Sequence, residues 1–147
     1  STDAIKDLEN AVNLAPEHGD GWYFLANSLA RAEQYGPAFD AYAKLNTLEP
    51  ENVDGWMDHA DLLLQMKGAD QAVRKLKEGA QVIKLTSRYA YRMVSYLLRM
   101  GDLQQALVML EDALMTDHAA HTQLLEHYPE AAQMPQVIHL LELYRRP

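Results

Sequence analysis

Apolar positions along the chain recur at helical, not strand, spacing. Trp22, Leu25, Ala26 and Leu29 share one face of a 3.6-residue period, and Ala38, Tyr42 and Leu45 share another a few residues later. Such stripes predict amphipathic helices that bury one side against neighbours. The same pairing returns in Trp56, Ala60 and Leu63 followed by Ala72 and Leu76. It returns once more in Ala90, Met93, Val94 and Leu97 followed by Ala106, Leu110 and Ala113. Breakers punctuate the stripes. Pro37 and Pro135 suit first turns of helices, Gly68 and Gly101 suit turns between paired helices, and Pro16 and Pro50 close one pair before the next. A further helix is predicted from about Asp3 to Leu14. The pattern therefore predicts an all-α chain of about nine helices.

The stripes repeat with a fixed offset. Asn13 to Trp22 reads NLAPEHGDGW and Thr47 to Trp56 reads TLEPENVDGW, an offset of 34 residues. Carried along the chain without a gap, the offset superposes Ala4, Ala38, Ala72 and Ala106. It also superposes Leu8, Tyr42, Leu76 and Leu110, then Ala26, Ala60 and Val94, then Leu29, Leu63 and Leu97. A period of this length marks a stacked array, in which no single unit can bury its own apolar face.

The order Trp22, Leu25, Ala26, Leu29, Ala38, Tyr42, Leu45 and Pro50 resembles the tetratricopeptide repeat, a 34-residue helix–turn–helix unit. The second copy has His59 where Leu is usual and Lys84 in the Pro slot; the third lacks the Trp and has His118 in that slot. The resemblance runs from about Ala4 to Asp117. It implies a right-handed superhelix of stacked antiparallel helix pairs, with first-type helices lining a concave face where partners' peptides bind. On this reading residues 1–147 are one domain. Residues 1–18 are the second half of a truncated repeat, 19–52, 53–86 and 87–120 are full repeats, and 121–147 are an irregular closing helix pair. A second-type helix without its first-type partner leaves an apolar face uncovered. The native protein is therefore expected to continue upstream, the alternative being that the bare helix is a cap. At the other end Val137, Leu140, Leu141 and Tyr144 form a stripe able to dock on the last repeat. Ile138 and Leu143 lie off it and could pair with a second chain, and Arg145 and Arg146 suit a helix C-terminus.

Composition narrows the chemistry. There is no cysteine, so thiolate catalysis, disulfides and the usual zinc knuckles are excluded. No apolar run approaches the ~18 residues that a membrane span needs. The net charge of −8 argues against a general nucleic-acid binder. That charge is uneven: residues 1–73 hold 4 basic and 13 acidic side chains, whereas residues 74–99 hold 7 basic and 1 acidic. No phosphate loop, nucleophile elbow or HExxH motif is present, and no enzymatic activity or cofactor is expected. His118, His121, Glu126 and His127 have spacings that can chelate a metal, but solvated histidines are the expected reading and no metal site is assigned. His59, in a Leu slot, is expected to be a packed core histidine with one hydrogen bond, whose protonation costs stability.

The candidate binding surface follows from the helical period and the resemblance together. One row below the Trp slots lie Tyr23, Met57 and Tyr91, expected to form a line along the groove floor. Beside them stand Asp20, Asn27 and Arg31; Asp54, Asp58, Asp61 and Gln65; and Arg88, Arg92, Ser95 and Arg99. The groove is expected to be acidic at the second repeat and basic at the third, complementary to an extended peptide with apolar anchors and an acidic end near Arg88 and Arg92. Asn27, Arg88 and Arg92 fall on slots that a carboxylate-gripping subset of the family uses. Tyr23 and Asp58 replace its Lys and Asn, and Asp58 would repel a carboxylate. The function expected is a protein–protein interaction module acting as adaptor or scaffold. The alternative is a segment that self-associates, as a homodimer, through its terminal helices. The composition is compatible with bacterial cytoplasm or periplasm, the cytoplasm being preferred.

Overall fold

The computed structural model describes residues 2–145, so Arg146 lies outside the described residues. Nine α-helices account for about three quarters of them: α1 (Thr2–Leu14), α2 (Gly19–Arg31), α3 (Tyr35–Leu48), α4 (Val53–Met66), α5 (Ala69–Ala80), α6 (Ser87–Met100), α7 (Leu103–Thr116), α8 (Thr122–His127) and α9 (Pro135–Leu143). Two 3-10 turns, His118–His121 and Pro129–Gln133, flank α8. Among the described residues there is no strand. The helices form two compact units. One holds α1 to α5 and ends at Lys84; the other starts at Leu85 and holds α6 to α9.

In the first unit each helix packs on the next in sequence, and α2 also touches α4. Small side chains sit where the helices cross. Ala26, Ala38 and Ala60 have no solvent exposure, and around them Leu25, Leu29, Tyr42, Leu45, Trp56 and Leu76 are buried. The repeated Pro–x5–Trp spacing has a mechanical reason. Trp22 Nε1 donates to the Pro16 carbonyl at 2.8 Å, and Trp56 Nε1 donates to the Pro50 carbonyl at 2.7 Å. Each indole thus satisfies a carbonyl of the turn that follows the preceding helix.

In the second unit α6 is the centre. It packs on α7 and α8, while α9 lies on α7. Tyr89, Tyr91, Tyr96 and Leu97 are fully buried on α6, as is Leu110 on α7. The closing stripe docks as its spacing predicts: Val137 and Leu140 are buried, and the Tyr144 hydroxyl donates to Glu111 Oε1 at 2.8 Å. Leu143 stays exposed, and Ile138 is 37% exposed. Arg145 follows the end of α9 and is exposed.

Side-chain caps mark several helix starts. Asn52 accepts from the Gly55 N–H, Thr86 from the Tyr89 N–H and Asp102 from the Gln105 N–H. The turn after α6 is closed by Gly101 at φ +87°, a left-handed residue that costs nothing without a Cβ. Two periods earlier the equivalent position is Glu33, also left-handed at φ +59°. Glu33→Gly is therefore expected to raise stability by about 1 kcal/mol, and Gly101→Ala to lower it by a similar amount. Urea midpoints would read both changes, and a destabilising Glu33→Gly would overturn the assignment.

Candidate functional site

In the first unit the expected surface residues form one hydrogen-bonded group on adjacent helices. Tyr23 on α2 donates its hydroxyl to Asp58 Oδ2 on α4 at 2.6 Å, and Tyr42 on α3 donates to Asn27 Oδ1 on α2. Burial, then the Asp58 carboxylate, pushes the Tyr23 hydroxyl up to about 12, and burial raises Tyr42 above its ordinary value. Both phenols therefore stay protonated donors at neutral pH. Asp58 and Asp61 raise Tyr42 further and Arg31 opposes them, while Asp54 acts on Tyr23, so these charges stand close around the two rings. Tyr23, Asn27, Asp58 and Asp61 are half-buried, and Arg31, Asp20, Asp54 and Gln65 are exposed.

Met57 departs from the expected row. At 1% exposure it is core and offers no surface to a partner. Phe24, absent from the sequence reading, does: it is 56% exposed, with its ring centroid 5.9 Å from that of Tyr23. No sequence signal singled it out, because it falls between the apolar stripe and the row beside it.

His59 is fully buried on α4, with the Tyr42 ring stacked at 5.6 Å and the Phe39 ring edge-on at 4.7 Å. Its Nδ1 lies 2.7 Å from Asn46 Oδ1. That oxygen can only accept, so Nδ1 carries the proton and Nε2 is left bare. Neither His59 Nε2 nor Asn46 Nδ2 has a hydrogen-bond partner. Burial, helped by the Lys75 charge, lowers the imidazole to about 3. The expectation of a packed histidine with one hydrogen bond agrees with this geometry; the asparagine partner on α3 was not foreseen.

In the second unit Arg88 and Arg99 are exposed, Arg92 is half-buried, and Tyr91 and Ser95 are fully buried. The row expected on a groove floor here faces the chain's own following segment. Tyr91 donates to the Asp117 carbonyl at 2.8 Å, and burial pushes its hydroxyl up to about 12. Ser95 donates to the Arg92 carbonyl at 2.6 Å, which uses its one proton, so the 2.8 Å contact to His127 requires His127 Nδ1–H to be the donor. Arg99 Nη2 donates to the His127 carbonyl at 3.0 Å, and its guanidinium lies 4.6 Å from the Tyr128 ring centroid. Tyr91, Ser95 and Arg99 therefore hold the segment 117–128 against α6. The helical period shows that they share a face but not that a later segment covers it.

The C-terminal histidines are likewise engaged instead of solvated. His118 Nε2 contacts the Leu141 carbonyl at 3.1 Å, and His121 Nδ1 contacts the His118 carbonyl at 2.6 Å. These bonds and the one to Ser95 spread the three rings among different partners. Among the described residues no group of three or more His, Asp or Glu is placed to hold a metal ion. Nor is any helix among them long and apolar enough to cross a membrane.

No family model matches the chain. The human mitochondrial import receptor subunit TOM70 is 25% identical over 114 residues, covering 76% of this chain and 18% of its own length. The chain thus spans about a fifth of that curated relative. Among solved structures, MamA superposes with a TM-score of 0.70 at 10% identity, over 95% of this chain and 84% of its own. YrrB, described as a TPR protein with an unusual peptide-binding site, superposes with a TM-score of 0.66 at 17% identity, over 97% and 75%.

Proposed function

From the premise that this chain has the tetratricopeptide-repeat fold, we propose that it is a protein-interaction module binding a partner's peptide or helix on its first-type helices. Residues 19–52, 53–86 and 87–120 are its repeats on this reading. The observation that carries the proposal is the group around Tyr23 and Asp58. Two tyrosines hold Asp58 and Asn27 in fixed positions on a partly exposed face, with Asp20, Asp54 and Arg31 exposed beside it. Side chains pinned before binding lose little freedom when a partner arrives. YrrB, a structural neighbour described as having a peptide-binding site, is consistent with such a role.

The charges define the partner. The acidic face of α2 and α4, with Phe24 beside it, suits a segment carrying Lys or Arg next to an apolar residue. Arg88 and Arg92 on α6 suit an acidic one. Met57, Tyr91 and Ser95 act from beneath by holding the helices that carry these residues. Asp58 makes a carboxylate grip on α2 and α4 unfavourable.

A second reading, self-association, rests on Leu14 at 88% exposure and Leu143 at 61% on the two terminal helices. Selection of random short peptides against the chain separates the two. Selected peptides are expected to be enriched in basic and apolar residues, and Asp58→Arg with Asp61→Arg is expected to weaken them at least tenfold at equal helical content. No enrichment, together with concentration-dependent dimerisation by light scattering, would replace the first reading with the second.

A further inference from the structure

A cavity of about 510 Å³ opens among α3, α4 and α5, away from the Tyr23–Asp58 group. Trp56, Pro50 and Val82 supply apolar walls, and Asn46, Lys75 and Glu78 supply polar ones. Asn46 and Lys75 are both largely buried. Asn46 is 8% exposed and spends its Oδ1 on His59, while its Nδ2 donor is buried without a partner. The Lys75 side chain is only 15% exposed, and its ammonium lies 5.8 Å from the Trp56 ring centroid and 6.0 Å from that of Phe39. Lysine at that degree of burial is held by a counter-charge. Here the counter-charge is Glu78 at 2.9 Å, from a side chain that is 59% exposed. An internal carboxylate thus already sits on Lys75, and because it comes from an exposed side chain a carboxylate from outside can compete for the same ammonium.

We propose that this cavity binds a carboxylate attached to an apolar body, its oxygens on Lys75 Nζ and its body against Trp56 and Val82. The carboxylate displaces Glu78, and the aromatic walls lower the local dielectric so that the new pair is stronger than the exposed one. Two sources share this chemistry: the C-terminus of a peptide and a free small carboxylic acid.

The test titrates the whole chain, in a Trp22→Phe background, with butyrate, with N-acetyl-alanyl-leucine and with its C-terminal amide. Trp56 fluorescence and the Asn46 side-chain amide resonances are followed. A saturable response to a carboxylate and none to the amide is expected. It should weaken at least tenfold in Lys75→Met and strengthen in Glu78→Gln. Saturation by the peptide acid alone identifies a peptide terminus as the ligand, and saturation by butyrate identifies a free acid. If no carboxylate shifts the Asn46 amide in either the parent or Glu78→Gln, the proposal fails. It fails equally if a folded Lys75→Met binds as the parent does. Neither result bears on the Tyr23–Asp58 surface, which peptide selection tests separately.

Discussion

As pH falls from 6.5 towards 3, the unit of α1 to α5 is expected to lose stability through His59 alone by up to about 1.4 kcal/mol per pH unit. The sign follows from the two states. Above pH 6.5 the imidazole is neutral whether the chain is folded or unfolded, and it contributes no slope. Below that the unfolded chain takes up a proton that the folded chain, with His59 lowered to about 3, refuses. Stability is then drained as pH falls. Phe39 and Tyr42 present rings, Asn46 Oδ1 already accepts the Nδ1 proton, and Lys75 is cationic, so no group facing His59 can neutralise an imidazolium. Replacing both members of the pair, His59→Leu with Asn46→Leu, removes the titration and the two partnerless atoms together. Urea unfolding at pH 7, 5.5 and 4 should show the parent losing ground to the double variant as acid is added. Carboxylates elsewhere titrate in both proteins and cancel in the difference. Parallel pH curves would refute the assignment.

Trp56→Ala is expected to cost about 3–5 kcal/mol, and Trp22→Ala clearly less. Both indoles make the same bond to a proline carbonyl, so the difference lies in what surrounds the ring. Trp56 is 5% exposed, between helices on both sides and close to the Lys75 ammonium, whereas Trp22 is only half-buried. The single-variant unfolding midpoints give the comparison. Equal losses would mean that the carbonyl bond, and not burial, sets the role of the tryptophan.

The helices were legible because two periods coincide in the sequence. A spacing of 3.6 gives each stripe, and a spacing of 34 repeats the same stripe with the same Pro and Gly signals at its ends. The surface was legible only in part. Tyr23, Asn27, Asp58 and Asp61 do come together, since neighbouring repeats place equivalent rows side by side. Tyr91 and Ser95 do not remain open, because the segment that covers them, 117–128, lies beyond the regular period and begins with a 3-10 turn. Pairings such as Ser95 with His127, or Asn46 with His59, join residues that no shared periodicity links. Helical spacing says which side chains face the same way. It does not say what meets them there.

The indole-to-carbonyl bonds also set a rule about chain length. At both places the acceptor lies six residues before the donor. A residue inserted between Pro50 and Trp56 would turn the ring by about 100° around the axis of α4 and carry it off its carbonyl. The hinge between α2 and α3 is tied by main-chain bonds alone, from Glu33 N to Ala30 O and from Gln34 N to Leu29 O, and could rearrange around an extra residue. Insertions and deletions should therefore be tolerated in the hinge between α2 and α3 and rejected between Pro16 and Trp22 and between Pro50 and Trp56. Proline and tryptophan together act as a ruler that keeps the array in step.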